Sequence, residues 1–184
     1  EKWKKITGTP IVEAYGLTEA SPGVCCNPLN IEAYSGGIGL PVPSTEVELR
    51  DADGKEVSVG QPGELWVRGP QVMQGYWNRP DATASELVDG WLRTGDIGAM
   101  DADGDLRIID RAKDLIIRGG YNVYPREVEE VLYTHPDIVE VAVIGVPDDH
   151  YGEEIAAVIA LRPDAVLNTD ALRGWAKERL SAYK

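Results

Sequence analysis

The 184 residues suffice for one ordinary domain or two small ones, and 31 acidic against 18 basic side chains leave a formal charge of −13. That balance disfavours broad affinity for nucleic acid. With 43% hydrophobic and 27% charged residues the composition is that of a globular protein, not a disordered tail. The longest strongly apolar stretch, Ile155 to Leu161, falls far short of the roughly 20 residues that span a bilayer. No signal peptide opens the chain, and the adjacent Cys25 and Cys26 cannot supply a disulfide framework, which suits a reduced cytoplasmic setting. A first residue of Glu1 rather than Met, and Lys184 ending the chain inside a helical pattern, suggest a piece of something longer.

Lys2 to Ile6 reads as the end of a helix broken by Gly8-Thr9-Pro10, with a short strand from Pro10 to Tyr15 running into Gly16. Ala20 to Gly37 reads as loop. From Gly39 to Asp110 the pattern is antiparallel β: Thr45 to Arg50 alternates polar and apolar, and Gly63 to Gly69 is a second strand closed by glycine. Two Asp-Ala-Asp-Gly turns, at Asp51 to Gly54 and Asp101 to Gly104, punctuate this region, and the second leads into a strand at Leu106 to Ile109. Arg79 to Glu86 looks like a helix of one or two turns. Short strands with glycine turns suggest a small barrel or sandwich.

After Asp110 the pattern changes. A strand at Asp114 to Arg118 precedes Gly119-Gly120, and Pro125 opens a helix with Val128, Val131 and Leu132 on one face. Val139 to Val146 and Ile155 to Leu161 are apolar strands. A last helix starts at Thr169, a candidate N-cap, and carries Leu172, Trp175, Ala176 and Leu180 on one side. The fold class expected is mixed α and β: a small antiparallel distorted β-barrel followed by a compact α+β domain, with the boundary near 110–113.

Four strings carry groups suited to chemistry. Tyr15-Gly16-Leu17-Thr18-Glu19 lies where a strand ends in a loop; its glycine lets backbone approach a ligand, its threonine offers a hydroxyl, and its glutamate can hold a divalent cation. Trp91 to Asp96 reads as a second loop of the same kind, and an ionised Asp96 can accept both vicinal hydroxyls of a ribose. For each, a plain turn is the competing explanation. Asp110-Arg111-Ala112-Lys113-Asp114 is either a solvated linker or a hinge from which Arg111 reaches a phosphate or ribose. Gly119 and Gly120 either let a narrow ligand pass along the backbone or simply turn the chain. Asp101 to Asp105 is not a calcium loop, because its glycine comes two residues early and the closing glutamate is missing. His135 and His150 have no neighbouring cysteines, serine or nucleophile to make a zinc site or a catalytic dyad.

Taken in order, these strings resemble the second part of an acyl-CoA synthetase of the adenylate-forming superfamily. Tyr15 to Glu19 resembles its adenylate-binding loop. Gly63-Glu64-Leu65 with Gly69 and Gly75-Tyr76-Trp77 is similar to a structural element of that superfamily, Trp91 to Asp96 to its ribose-binding motif, and Asp110 to Asp114 to its domain hinge. Gly119 to Glu129 is close to the form seen in fatty-acyl- and aryl-CoA ligases, whereas peptide-synthetase adenylation domains usually differ there.

The resemblance implies three regions: 1–30, the end of a large N-terminal domain with the adenylate-binding loop; 31–110, a β-barrel subdomain; and 111–184, a mobile C-terminal α+β domain. It implies a reaction in two steps. A carboxylate attacks the α-phosphate of Mg-ATP to give an acyl-adenylate and pyrophosphate, and the thiol of coenzyme A then displaces AMP. Carried over by position, Thr18 would contact a phosphate oxygen, Glu19 would coordinate Mg²⁺, and Tyr15 with Gly16 would lie along the adenine. Asp96 would hold both ribose hydroxyls and Arg111 would touch ribose or phosphate. Asp110 and Lys113 would mark the hinge, and Gly119 and Gly120 would line the pantetheine channel. None of these transfers a proton; the site works by positioning and charge stabilisation.

The expected substrates are a medium- or long-chain fatty acid, ATP and CoA, in a cytoplasmic protein, peripheral at membranes or free of them, without a transmembrane segment and compatible with a homodimer. The alternatives are an aryl-CoA ligase for a benzoate- or cinnamate-like acid, and a non-catalytic binding module. The superfamily's phosphate loop and its closing catalytic lysine are expected outside these residues, Lys184 lying shortly before the latter, so this piece alone is expected to make no adenylate.

Overall fold

The computed structural model of the chain describes residues 2–30 and 36–184, so residues 31–35 of the predicted 20–37 loop lie outside the described residues. The chain divides into two compact units, Glu1–Ile108 and Ile109–Lys184. In the first, helix α1 (Lys2–Thr7) ends at Gly8, whose φ of +74° suits glycine and whose N–H returns to the Lys4 carbonyl at 2.9 Å. Strands β1 (Ala14–Gly16), β2 (Gly23–Cys26) and β3 (Leu40–Pro41) form a three-stranded antiparallel sheet in that order. The strand expected from Pro10 shrinks to its last residues, since Pro10 has no N–H to give a ladder. The region expected as loop contains β2, and the reason is burial: Val24 and Cys25 are fully enclosed, and Cys25 pairs with Tyr15 on one side and Pro41 on the other.

Strands β4 (Glu46–Arg50), β5 (Gly63–Arg68), β6 (Leu87–Val88), β7 (Trp91–Met100) and β8 (Leu106–Arg111) follow, with helix α2 (Pro80–Glu86) inserted before β6. They make one curled, half-barrel antiparallel sheet in the order β4-β5-β7-β6, with β8 beside β7. Both Asp-Ala-Asp-Gly strings are turns closed by their first aspartate. Asp51 Oδ1 accepts the N–H groups of Asp53 and Lys55, and Asp101 Oδ1 those of Asp103 and Asp105, all at 2.9 Å. Trp91 to Asp96, expected as a loop, belongs to strand β7 instead: Trp91 and Leu92 are buried and pair with Val88, Leu87 and Val67. The core of this unit is Ala20, Val24, Cys25, Leu49, Leu65, Val67 and Leu106.

The second unit carries β9 (Ile116–Arg118), β10 (Tyr121–Val123), α3 (Pro125–Tyr133), β11 (Ile138–Asp148), β12 (Gly152–Leu161) and α4 (Thr169–Lys177). Its sheet runs β10-β9-β12-β11, antiparallel throughout. Val128 and Leu132 of α3 and Leu172 of α4 pack with Ile116, Val123, Ile138, Val141 and Val143, and Trp175, Ala176 and Leu180 close over them as the helical spacing predicts. The N-cap of α4 is Asn168, not Thr169: its side-chain oxygen accepts from Asp170 and Ala171 N–H at 2.9 and 3.1 Å.

Candidate nucleotide site

Strand β1 delivers Tyr15 and Gly16 to a tight reversal. Leu17 N–H bonds the Pro22 carbonyl at 2.9 Å, and a Cβ on Gly16 would stand 1.8 Å from that oxygen. Only glycine fits. Thr18 to Ala20 then form a single 3₁₀ turn, anchored by the fully buried Ala20, with Thr18 left exposed and Glu19 half-buried.

Glu19 is tied down twice by the segment before α2. Its carbonyl accepts Met73 N–H at 2.8 Å, and its Oε1 accepts the Tyr76 hydroxyl at 2.9 Å. Tyr76 is in turn fixed by Thr83 of α2, whose hydroxyl accepts Tyr76 N–H at 2.9 Å and donates to the Arg79 carbonyl at 2.9 Å. Desolvation and then the bond to Glu19 push the Tyr76 phenol up to about 12, so it stays a donor at neutral pH. Among the described residues no hydrogen bond or ion pair reaches Glu19 Oε2.

Eighty-one positions from Tyr15, Asp96 meets it: the Tyr15 hydroxyl donates to Asp96 Oδ2 at 2.6 Å. Burial, followed by the hydrogen bond and charge of Asp96, drives the Tyr15 phenol well above its ordinary range. Tyr15 and Asp96 thus meet within the first unit, and Gly16, Thr18 and Glu19 follow Tyr15 directly along the chain. Behind them Cys25 is sealed in the core, and burial pushes its thiol up to about 12.

The other sequence-predicted residues belong to the second unit. Asp110 is buried, and its carboxylate accepts the N–H of Arg111 at 2.8 Å and that of Arg126, in the first turn of α3, at 3.0 Å. Arg111 ends β8 and Lys113 sits exposed in a 3₁₀ turn. Gly119 and Gly120, with φ of +57° and +85°, are the two-residue turn of the β9–β10 hairpin, Arg118 facing Tyr121 across it. Sequence reasoning passed over Tyr76 and Thr83; the string Gly75-Tyr76-Trp77 marks the place but nothing in it says which carboxylate the phenol meets.

The class is defined by comparison with known proteins. Profiles of the AMP-binding enzymes match residues 1–77, and of the AMP-binding enzyme C-terminal domain residues 127–184. The chain belongs to the AMP-binding enzymes. More particularly, it is 56% identical over all 184 residues to a long-chain-fatty-acid–CoA ligase of Yersinia pestis, of which it covers 33%. It is similar to ATP-bound MatB from Rhodopseudomonas palustris, with a TM-score of 0.90 and 37% identity over 100% of this chain and 37% of that one. It is also similar to the O-succinylbenzoate coenzyme A synthetase of Bacillus subtilis in complex with ATP and magnesium ion, with a TM-score of 0.84 and 36% identity over 100% of this chain and 38% of that one. The chain thus spans about a third of the length of the curated relatives it matches.

Proposed function

We propose that the chain is the nucleotide-gripping third of an AMP-forming long-chain fatty-acyl-CoA ligase. The observation that carries the reading is the Tyr15–Asp96 contact, which brings a ligand loop and a hydroxyl-accepting carboxylate to one place. In this reading Asp96 accepts the 2′- and 3′-hydroxyls of ATP while the Tyr15 ring lies along the adenine, with Gly16 allowing close approach. Thr18 donates its hydroxyl to a phosphate oxygen. Arg111 reaches ribose or phosphate, Asp110 and Lys113 mark the hinge, and Gly119 and Gly120 line the pantetheine path. In the same reading residues 1–30 end a large N-terminal domain with the adenylate loop, 31–110 form its β-barrel subdomain, and 111–184 are the mobile C-terminal domain.

Glu19 fits Mg²⁺. Tyr76 occupies Oε1 and leaves Oε2 as one hard oxygen on a half-buried carboxylate, and Mg²⁺ commonly takes one or two carboxylates and completes its shell with water and phosphate. When bound, the ion neutralises charge on the phosphates. The protein's own part is to hold Glu19 at both backbone and side chain so that the phosphate oxygens meet a fixed partner.

The reaction balances without a protein nucleophile. The fatty carboxylate oxygen attacks the α-phosphorus, the bond to the bridging oxygen breaks, and pyrophosphate leaves. The CoA sulfur then attacks the acyl carbon, the carbon–oxygen bond to AMP breaks, and the thiol proton is released. A second reading, an aryl-CoA ligase, is favoured by the likeness to the O-succinylbenzoate enzyme.

The test is AMP release by the full-length protein with ATP, CoA and a panel of acids. We expect palmitate to outpace cinnamate and benzoate, and Asp96→Ala to lower kcat/KM for ATP by about 10- to 100-fold. Faster turnover of the aryl acids would select the second reading, and wild-type kinetics in Asp96→Ala would remove the first. The 184-residue chain by itself is expected to release no pyrophosphate above background.

A further inference from the structure

Strand β7 does not run straight past β5. Glu64 faces Ile97 and Trp66 faces Arg93, so Thr94, Gly95 and Asp96 together span the gap that Leu65 alone fills on the partner strand. The surplus residues are forced out of the ladder as a bulge, a device that re-aims a side chain. Here the side chain re-aimed is Asp96.

Two residues hold that bulge. The Thr94 hydroxyl donates to the Leu65 carbonyl at 2.8 Å and accepts the Asp96 N–H at 3.1 Å. Gly95, at a φ of +71° that glycine adopts without strain, donates its N–H to Glu64 Oε1 at 3.2 Å. The other oxygen, Glu64 Oε2, accepts the Trp66 indole N–H at 3.2 Å and two guanidinium N–H groups of Arg93 at 3.2 and 3.0 Å. Four donors from three residues therefore converge on one carboxylate, whose side chain is only 12% exposed. A carboxylate accepts all four; an amide would turn its own N–H₂ against donors.

We propose that Glu64 is the positioning residue for Asp96, acting through Gly95, and that the discrimination of ribo- from deoxyribonucleotides rests on it. In this inference Glu64, whose carboxylate is taken up by Gly95, Trp66 and Arg93, makes no nucleotide contact of its own. Its effect is to fix the angle at which the Asp96 carboxylate meets the sugar, so its loss misaligns one recognition group and leaves the phosphate contacts in place. The inference rests on Asp96 being the ribose partner, as proposed above.

The experiment compares kcat/KM for ATP and for 2′-deoxyATP in the full-length protein, read by pyrophosphate release. Wild type is expected to prefer ATP by about 10- to 100-fold, the value of a hydroxyl bonded to a charged acceptor. Glu64→Ala and Thr94→Val should bring that ratio down to the one shown by Asp96→Ala, and Glu64→Gln, which keeps volume, should fall between. Thermal melts identify variants that have lost their fold; if Glu64→Ala is among them, Glu64→Gln and Thr94→Val decide. A wild-type ratio in folded Glu64 and Thr94 variants, with Asp96→Ala collapsed, overturns the positioning role alone. A wild-type ratio in Asp96→Ala itself overturns the ribose assignment and this inference with it.

Discussion

Tyr15→Phe deletes one hydroxyl and keeps the ring, so it isolates the contact on which the site depends. The bond lost is 2.6 Å long and its acceptor is a carboxylate. Hydrogen bonds to charged groups contribute about 1.5–3 kcal/mol net when partly buried, and the partner left behind loses a donor as well. We expect urea denaturation at pH 7 to show a loss of about 1–3 kcal/mol in the first unit. A cycle with Asp96→Asn and the double variant should return a coupling of about 1 kcal/mol or more. The pH dependence has a definite sign. Because the folded phenol titrates above its ordinary value of 10.0, the contact's stabilisation is complete below pH 10 and is lost only as the pH climbs through the raised value. Coupling should therefore be flat from pH 7 to 10. A coupling below about 0.3 kcal/mol at pH 7, within the range of independent sites, would mean that loop and strand do not meet.

Other outcomes follow from the same geometry. Tyr76→Phe frees Glu19 Oε1, and the Mg²⁺ concentration for half-maximal activity of the full-length protein should rise by about 3- to 10-fold; an unchanged magnesium profile would dissociate Tyr76 from Glu19. A thiol reagent at pH 8 should modify the half-exposed Cys26 quickly and Cys25 only after denaturant, because Cys25 is wholly enclosed. Raising the pH from 9 toward 12 should weaken the first unit as the stabilisation from keeping that thiol protonated is withdrawn, and Cys25→Ala should blunt the effect. Asp110→Ala leaves the Arg126 N–H at the start of α3 without its acceptor and should lower the stability of the second unit by about 1–3 kcal/mol, read by denaturation or by amide exchange in α3. Wild-type exchange there would show that the Asp110–Arg126 bond contributes nothing.

Helices α3 and α4 were legible because Val128 and Leu132 in one, and Leu172, Trp175 and Ala176 in the other, recur at helical spacing, and the Asp-Ala-Asp-Gly turns because a single aspartate closes each one locally. Strand β2 was not. Gly23 to Cys26 is four residues without alternation, preceded by a proline, and it is extended only because β1 and β3 lie on either side of it. Thr94-Gly95-Asp96 has the composition of a turn, and only the register of β5 makes it a bulge within a strand. The cap of α4 moved by one residue because Asn168 reaches two N–H groups. Within the site, the groups proposed to meet a ligand could be read from chemistry and order, while those that hold them could not. Tyr76 finds Glu19 across 57 positions and Glu64 finds Gly95 across 31. Such pairings are products of the folded chain and leave no local mark.

The reversal at Gly16 has a thermodynamic consequence. A loop cinched by Leu17 against Pro22, with Ala20 as its plug and Glu19 clasped at both ends, owes its shape to its own bonds. Capture of a nucleotide by such a loop forfeits little configurational freedom. Calorimetry should then find a small entropic penalty for complex formation, and accommodating a bulkier side chain at position 16 would exchange a rigid receptor for a floppy one.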